Sequence, residues 1–232
     1  MNKILVVIIT LISTITFAQS INQMDANGKR HGIWKKNFNN TKVLRYEGEF
    51  NHGKEKGTFK FYKNIDGKAV LTATRTFSET SDLAKVKFFS STKNLISEGN
   101  MKGKTYVGKW VYYHNKSKQV MSEEFYNEKG KLEGKKKTYY LSGKVAEEAN
   151  YKSGKLNGLL KTYSEAGKLM SSFTYSQGEL HGPAKIYDNK GQIKAEGVYQ
   201  KDRRHGIWKF YDNGMFSHEK DFTRRSKNPH KK

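Results

Sequence analysis

Apolar and polar residues alternate with a period of two over short stretches, and the stretches recur along the chain. Trp208 and Phe210 alternate with Ile207, Lys209 and Tyr211, while Ile193, Ala195, Gly197 and Tyr199 alternate with Gln192, Lys194, Glu196 and Val198. A period of two sends successive side chains to opposite faces of a pleated strand, so these stretches predict strands, with helix a weak rival everywhere. Glycine sets the larger rhythm. Taken in phase, Gly32, Gly57, Gly108, Gly134, Gly158, Gly182 and Gly206, with Ala84 filling one gap, follow one another at steps of 25, 27, 24, 26, 24, 24 and 24 residues. Five residues after each of these anchors stand Asn37, Tyr62, Phe89, Tyr113, Tyr139, Tyr163, Tyr187 and Tyr211, and all three tryptophans fall two residues after an anchor. A period in the mid-twenties predicts a repeat architecture, here about eight units over residues 27–222.

Between the strands of a unit lie Ser142-Gly143, Ala166-Gly167 and Lys190-Gly191, which read as two-residue primed hairpin turns because glycine takes positive φ without a Cβ clash. A second glycine turn precedes most anchors, as at Gly53, Gly103, Gly154 and Gly178, and Gly48, Gly99 and Gly197 fall in strands. All 21 glycines belong to this scheme, so none is left for a phosphate loop. The predicted fold is all-β: an elongated single antiparallel sheet of consecutive β-hairpins, each unit stable only against its neighbours. Segment 78–101 departs most from the pattern and predicts an irregular connection, either a bend or a docking place, before a strand at Val86 to Phe89. Residues 19–26 read as a short loose linker and 223–232 as a loose basic tail.

Composition narrows the function classes. A hydrophobic share of 35% excludes a multi-span membrane protein, while 13% aromatics argues for a folded chain with a thin core. The absence of Cys removes disulfides, thiolate metal sites and cysteine nucleophiles together. Met1 to Ala18 has the charged start (Lys3), the apolar middle and the small-residue end of a secretory signal. The expectation is cleavage after Ala18 and an exported protein, whether periplasmic, cell-surface or secreted. With 44 Lys and Arg against 22 Asp and Glu the chain carries +22, and loss of Lys3 with the signal leaves +21.

Part of that charge is arranged. Three residues after the anchors stand Lys35, Lys60, Lys87, Lys137, Lys161, Lys185 and Lys209, with Val111 the exception. Counting from the expected turns, Lys137 faces Glu148 and Lys185 faces Glu196, whereas Lys161 faces Ser172. These lysines, with Tyr139, Tyr163, Tyr187 and Tyr211 two residues further on, form the candidate binding face: lysine supplies long-range attraction and tyrosine rigid contact area. The competing reading is a solvated lysine-rich face that guards an open sheet against aggregation. Glu47, Glu98, Glu124, Glu148 and Glu196 recur ten residues before the next anchor and so belong to the repeat, not to a singular acid/base pair. His31, His181 and His205 each precede an anchor, which points to turn geometry before metal binding. No nucleophile elbow or triad signature occurs, so no catalytic residue, metal or cofactor is expected.

Tyr46-Glu-Gly-Glu-Phe50-Asn-His-Gly53-Lys-Glu-Lys-Gly57-Thr-Phe59 resembles the MORN repeat, and Gly197-Val-Tyr199 followed by Gly206-Ile-Trp208 is similar, with Asp202 where the pattern has glycine. The spacing resembles the bacterial MORN-variant repeats, including those of chains labelled toxin-antitoxin family antitoxins. That resemblance implies a sheet of hairpins, contact with a protein or a membrane surface, and no catalytic residues to carry over. The resulting expectation is an exported binding or scaffolding module, not an enzyme, that meets a protein or an anionic envelope component such as lipid or acidic glycan. Nucleic acid is not expected outside the cell. The rival of a different class is an antitoxin or immunity-like protein that blocks one toxin, a role that sits badly with export.

Overall fold

The computed structural model describes residues 20–78 and 80–223. The expected signal at 1–18 and nearly all of the basic tail lie outside the described residues. Seventeen strands follow one another: β1 (Gln23–Met24), β2 (Arg30–Asn37), β3 (Leu44–Asn51), β4 (Lys54–Ile65), β5 (Lys68–Phe77), β6 (Leu83–Phe89), β7 (Leu95–Lys102), β8 (Thr105–Tyr113), β9 (Val120–Tyr126), β10 (Gly134–Tyr139), β11 (Val145–Lys152), β12 (Lys155–Tyr163), β13 (Leu169–Ser176), β14 (Glu179–Tyr187), β15 (Ile193–Gln200), β16 (Arg203–Asp212) and β17 (Met215–Asp221). Among the described residues each strand pairs, antiparallel, with its neighbours in sequence, so the fold is one open meander of hairpins. Local pairing of this kind needs no crossover connection.

A single layer has no second sheet to bury its apolar face, and the chain solves this within the layer. Phe59, Trp110 and Trp208, all essentially without exposure, lie flat on Gly48, Gly99 and Gly197 of the preceding strand, where an added Cβ would overlap the ring. From the other side each tryptophan is covered by the residue four before it. Arg30 sits 5.0 Å over Trp34 and Arg204 4.4 Å over Trp208, while Tyr106 stacks on Trp110 at 3.8 Å and 8°. Residues four apart share a face of a pleated strand, and the anchor glycine between them takes positive φ, as Gly108 (67°) and Gly206 (65°) do, and bulges the strand. The anchors thus lie inside strands, and His31, His181 and His205 are strand residues rather than turn residues.

The apolar face carries two clusters. One is built on Ala84, Val86, Met101 and Trp110, the other on Ala184, Ala195 and Trp208. Between them one column of the same face turns polar, since Thr138 pairs with Glu147, Glu147 with Thr162, and Thr162 with Ser171, whose hydroxyl is 2.6 Å away, while the next column, Ala149, Leu160 and Phe173, stays apolar.

Three expectations need correction. The connections at Gly143, Gly167 and Gly191 are three-residue loops with glycine last in the left-handed region, closed by Tyr140 N–H to Lys144 O and its equivalents. A bulge on the next strand, at Ala146, Met170 and Lys194, restores the register, which is why the facing pairs counted from two-residue turns still hold. True two-residue primed turns stand instead at His52-Gly53, Asp66-Gly67, Ser153-Gly154, Gln177-Gly178 and Asn213-Gly214, where both residues have positive φ. Segment 78–101 is irregular only up to Asp82; β6 and β7 pair in order from Leu83↔Lys102. Residues 22–24 are not a free linker, since Asn22 N–H donates to Ile33 O and β1 pairs with β2.

Candidate functional site

The face opposite the aromatics is organised by one continuous row. In strand order from β2 to β17 it reads Lys35, Glu47, Lys60, Thr74, Lys87, Glu98, Val111, Glu123, Lys137, Glu148, Lys161, Ser172, Lys185, Glu196, Lys209 and Glu219, each paired in register with the next. All seven candidate lysines are in it. Glu123, not Glu124, continues the glutamate column, because β9 and β10 are joined by a longer connection through Asn127 to Lys131 that shifts the count. Glu124 turns to the aromatic face, where it pairs with Lys136 at 3.0 Å.

Seven lysines against six glutamates leave the row with a net charge of only +1. Lys35 and Lys60 both reach Glu47, at 3.6 and 3.5 Å, Lys87 reaches Glu98 at 3.3 Å, Lys137 Glu148 at 3.1 Å and Lys185 Glu196 at 3.3 Å. Lys161 and Lys209 have glutamates as register partners, Glu148 for the first and Glu196 with Glu219 for the second. The repulsion expected of a lysine row is thus offset by interleaved carboxylates.

Beside this row runs the tyrosine row. Tyr62, Tyr113, Tyr139, Tyr163 and Tyr211 each donate to a row glutamate, from 2.5 Å for Tyr113 to Glu98 up to 3.3 Å for Tyr163 to Glu148. Tyr187 meets Ser172 at the equivalent place in the register and makes no such bond among the described residues. Burial first, then the bond to a carboxylate, pushes Tyr62, Tyr113 and Tyr139 up to about 12. In return the tyrosine hydroxyls hold Glu47, Glu98 and Glu196 below the usual carboxylate range, whereas Glu123 and Glu148 are lowered mainly by Lys109 and Lys137.

These shifts give opposite limbs of a stability profile. The lowered glutamates contribute stability that is full above their ordinary value of 4.5 and fades as pH falls through their lower folded values. The raised tyrosines contribute stability that is full below about 10 and is lost as pH rises through about 12. Urea midpoints measured from pH 3 to 7 are expected to fall on the acid side for the wild type and less steeply for Glu98→Gln; an unchanged acid limb would remove the tyrosine–glutamate pairs as its cause.

On the other flank of the row, one residue after the anchors, the sequence reading missed an apolar strip. Leu159, Val198 and Ile207 are 44%, 42% and 55% exposed, and Pro183 pairs directly with Val198. Pro183, Val198 and Ile207 line an open cleft with Lys185, Glu196, Lys209 and Glu219. The strip was visible as a column: Leu159, Pro183 and Ile207 follow Gly158, Gly182 and Gly206 with the parity of the lysines two residues on. No group of three or more His, Asp or Glu able to hold a metal occurs among the described residues.

The model of the MORN repeat variant matches residues 132–153, 156–177 and 180–201. Each match is one hairpin, β10–β11, β12–β13 and β14–β15, together with the turn that leads to the next. No curated protein matches the chain. Thirty-nine chains match among solved structures. One is a crystal structure of a mutant of S. aureus TarM in complex with fondaparinux, alpha-GlcNAc-glycerol and UDP, 10% identical over 58% of this chain and 21% of that one, at a TM-score of 0.27. The present chain thus spans about a fifth of that neighbour's length, and the superposition is too poor to argue from. Three consecutive units, within residues 132–201, are thus similar to the MORN repeat variant, and antiparallel hairpins continue the same sheet in register before and after them.

Proposed function

We propose that the protein is an exported binding or scaffolding module, without catalytic activity, whose outward face docks a protein partner. The repeats themselves suggest a binding or scaffolding role, and the secretory pattern of residues 1–18 supports export. The observation that carries the choice of partner is the near-neutral row beside the exposed Pro183–Val198–Ile207 strip. Ion-paired lysines flanked by apolar side chains and by tyrosines fixed through their hydroxyls offer a protein an apolar centre with a polar rim. A polyanion would have to compete with Glu148, Glu196 and Glu219 for the same lysines. In the wider envelope the remaining positive charge, spread over strands and turns at residues such as Lys54, Lys104, Lys144 and Lys155, speeds encounter with acidic surfaces.

The test is to immobilise the protein, apply an envelope extract and wash with rising salt, in parallel with a Val198→Lys/Ile207→Lys variant. Both positions are exposed, so the variant is expected to fold. A discrete protein held by the wild type at high salt and lost from the variant supports the reading. Complete elution by salt, equal for both proteins and confined to lipid or polysaccharide, would make the chain a general polyanion adhesive; capture of a single toxin would instead favour the immunity-like role.

A further inference from the structure

The hairpin loops on one edge are not equivalent: the loop at 38–43 puts Asn40 (φ 58°) where others have glycine, and two adjacent loops put lysine there. Where units with Gly143, Gly167 and Gly191 place glycine in the left-handed region, the loop Ser90 to Asn94 places Lys93 (φ 65°), and the loop His114 to Gln119 places Lys116 (φ 55°). These are the only two lysines with positive φ among the described hairpin loops on this edge of the sheet. The left-handed region disfavours a residue with a Cβ, although His52, Ser153, Gln177 and Lys201 also occupy it in two-residue turns at the other end of the strands. Both loops are nevertheless well tied. Ser90 N–H donates to Asn94 O, Lys93 N–H to Ser90 O, and Asn94 N–H to Ser90 Oγ. In the second loop His114 N–H donates to Gln119 O, Ser117 N–H to His114 O, and Gln119 N–H to Ser117 Oγ.

Between these two loops lies a groove of about 530 Å³ lined by Phe89, Leu95 and Tyr113 below and by Lys93, Lys116 and Lys118 with Asn94 and Ser117 around the rim. None of the three lysines makes an ion pair with a described residue. Tyr113 is held in place because its hydroxyl donates to Glu98, whose charge Lys87 already meets. An apolar, partly aromatic floor with a rim of unpaired cations and neutral hydrogen-bonding groups is complementary to a ring that is apolar on its face and acidic at its edge. A bare inorganic anion would leave the floor unused, and a neutral sugar would leave the lysines unused.

We infer that the groove between the Ser90–Asn94 and His114–Gln119 loops is a binding site for an acidic saccharide, a short chain of pyranose rings bearing carboxylate, sulfate or phosphate groups. The site goes beyond the docking face: it lies in the third and fourth units, whereas the Pro183–Val198–Ile207 cleft lies in the seventh and eighth. Val198→Lys/Ile207→Lys leaves it intact, so either reading can fail without the other.

The variant Lys93→Gly/Lys116→Gly removes the two charges and gives each position the residue the left-handed region favours, so its melting temperature is expected to equal or exceed that of the wild type. The full chain is titrated calorimetrically with tetragalacturonate, with neutral maltotetraose and with inorganic phosphate. The wild type is expected to bind tetragalacturonate and not maltotetraose, and the double variant to bind it at least about tenfold more weakly. Phosphate should displace the ligand only in large excess. No binding of tetragalacturonate by the wild type, equal affinity in the double variant, equally effective competition by phosphate, or an equal loss in Lys144→Gln/Lys168→Gln on the same sheet edge would each overturn the site.

Discussion

Gly197→Ala is expected to cost about 3 kcal/mol, while Gly206→Ala, nine residues away, costs only about 1 kcal/mol. The two glycines do different work. Gly206 bulges its strand at a φ of 65° with nothing near the place a Cβ would occupy, so alanine there meets only the intrinsic penalty of the left-handed region. Gly197 has no unusual φ; it is the floor on which Trp208 rests, and a methyl group there would overlap the indole. Trp208 cannot retreat, because Arg204 covers its other face at 4.4 Å and Tyr199 and Phe222 close on its edges. The ring must then tilt and expose apolar surface that a single-layer sheet has no other way to bury. Urea midpoints of the two variants measure the difference. Equal costs would show that ring-on-glycine packing is not what closes this face.

Fold and candidate site were legible in the sequence to different depths. The alternation of Trp208 and Phe210 with Lys209 and Tyr211 specified strands and faces, and the phase of the anchors specified the order of the hairpins, because a meander pairs only neighbours in sequence. Lys137↔Glu148, Lys185↔Glu196 and Lys161↔Ser172 were countable even with the wrong loop type, since the extra loop residue and the bulge at Ala146, Met170 or Lys194 cancel. Counting failed where lengths change: the longer β9–β10 connection put Glu123 in the row that spacing gives to Glu124. The order at 83–102 was hidden for a related reason, since Ala84 replaces the anchor glycine and its strand pairs with β5 without a bulge. Most important for function, a column of lysines looks basic until the glutamates of the alternate strands are laid between them, and that interleaving is a property of register rather than of composition.

Trp110→Ala is expected to unfold one half of the sheet and leave the other standing. Deleting a fully buried tryptophan costs about 3–5 kcal/mol, and Trp110 is the centre of its cluster: Tyr106 stacks on it, Phe88 lies at 6.0 Å and Val86 and Met101 pack beside it. In a repeat protein such a loss propagates only as far as neighbouring units are coupled. Coupling on the aromatic face weakens at β10 to β13, where Thr138 and Thr162 stand in place of Phe88, Tyr112, Ile186 and Phe210 although the Ala149–Leu160–Phe173 column stays apolar, and the Glu124–Lys136 ion pair marks the border. Hydrogen exchange followed by mass spectrometry should therefore show β6 to β9 losing protection while β13 to β16, gathered on Trp208, keep theirs. Loss across all strands together would mean that the backbone ladder and the lysine–glutamate row couple the units strongly enough to override the polar break. If the halves do separate, the docking cleft on Pro183, Val198 and Ile207 survives in the folded half and the groove between the lysine loops does not. Partner capture should then persist in Trp110→Ala while saccharide binding is lost, which assigns the two proposed activities to two independently stable parts of one sheet.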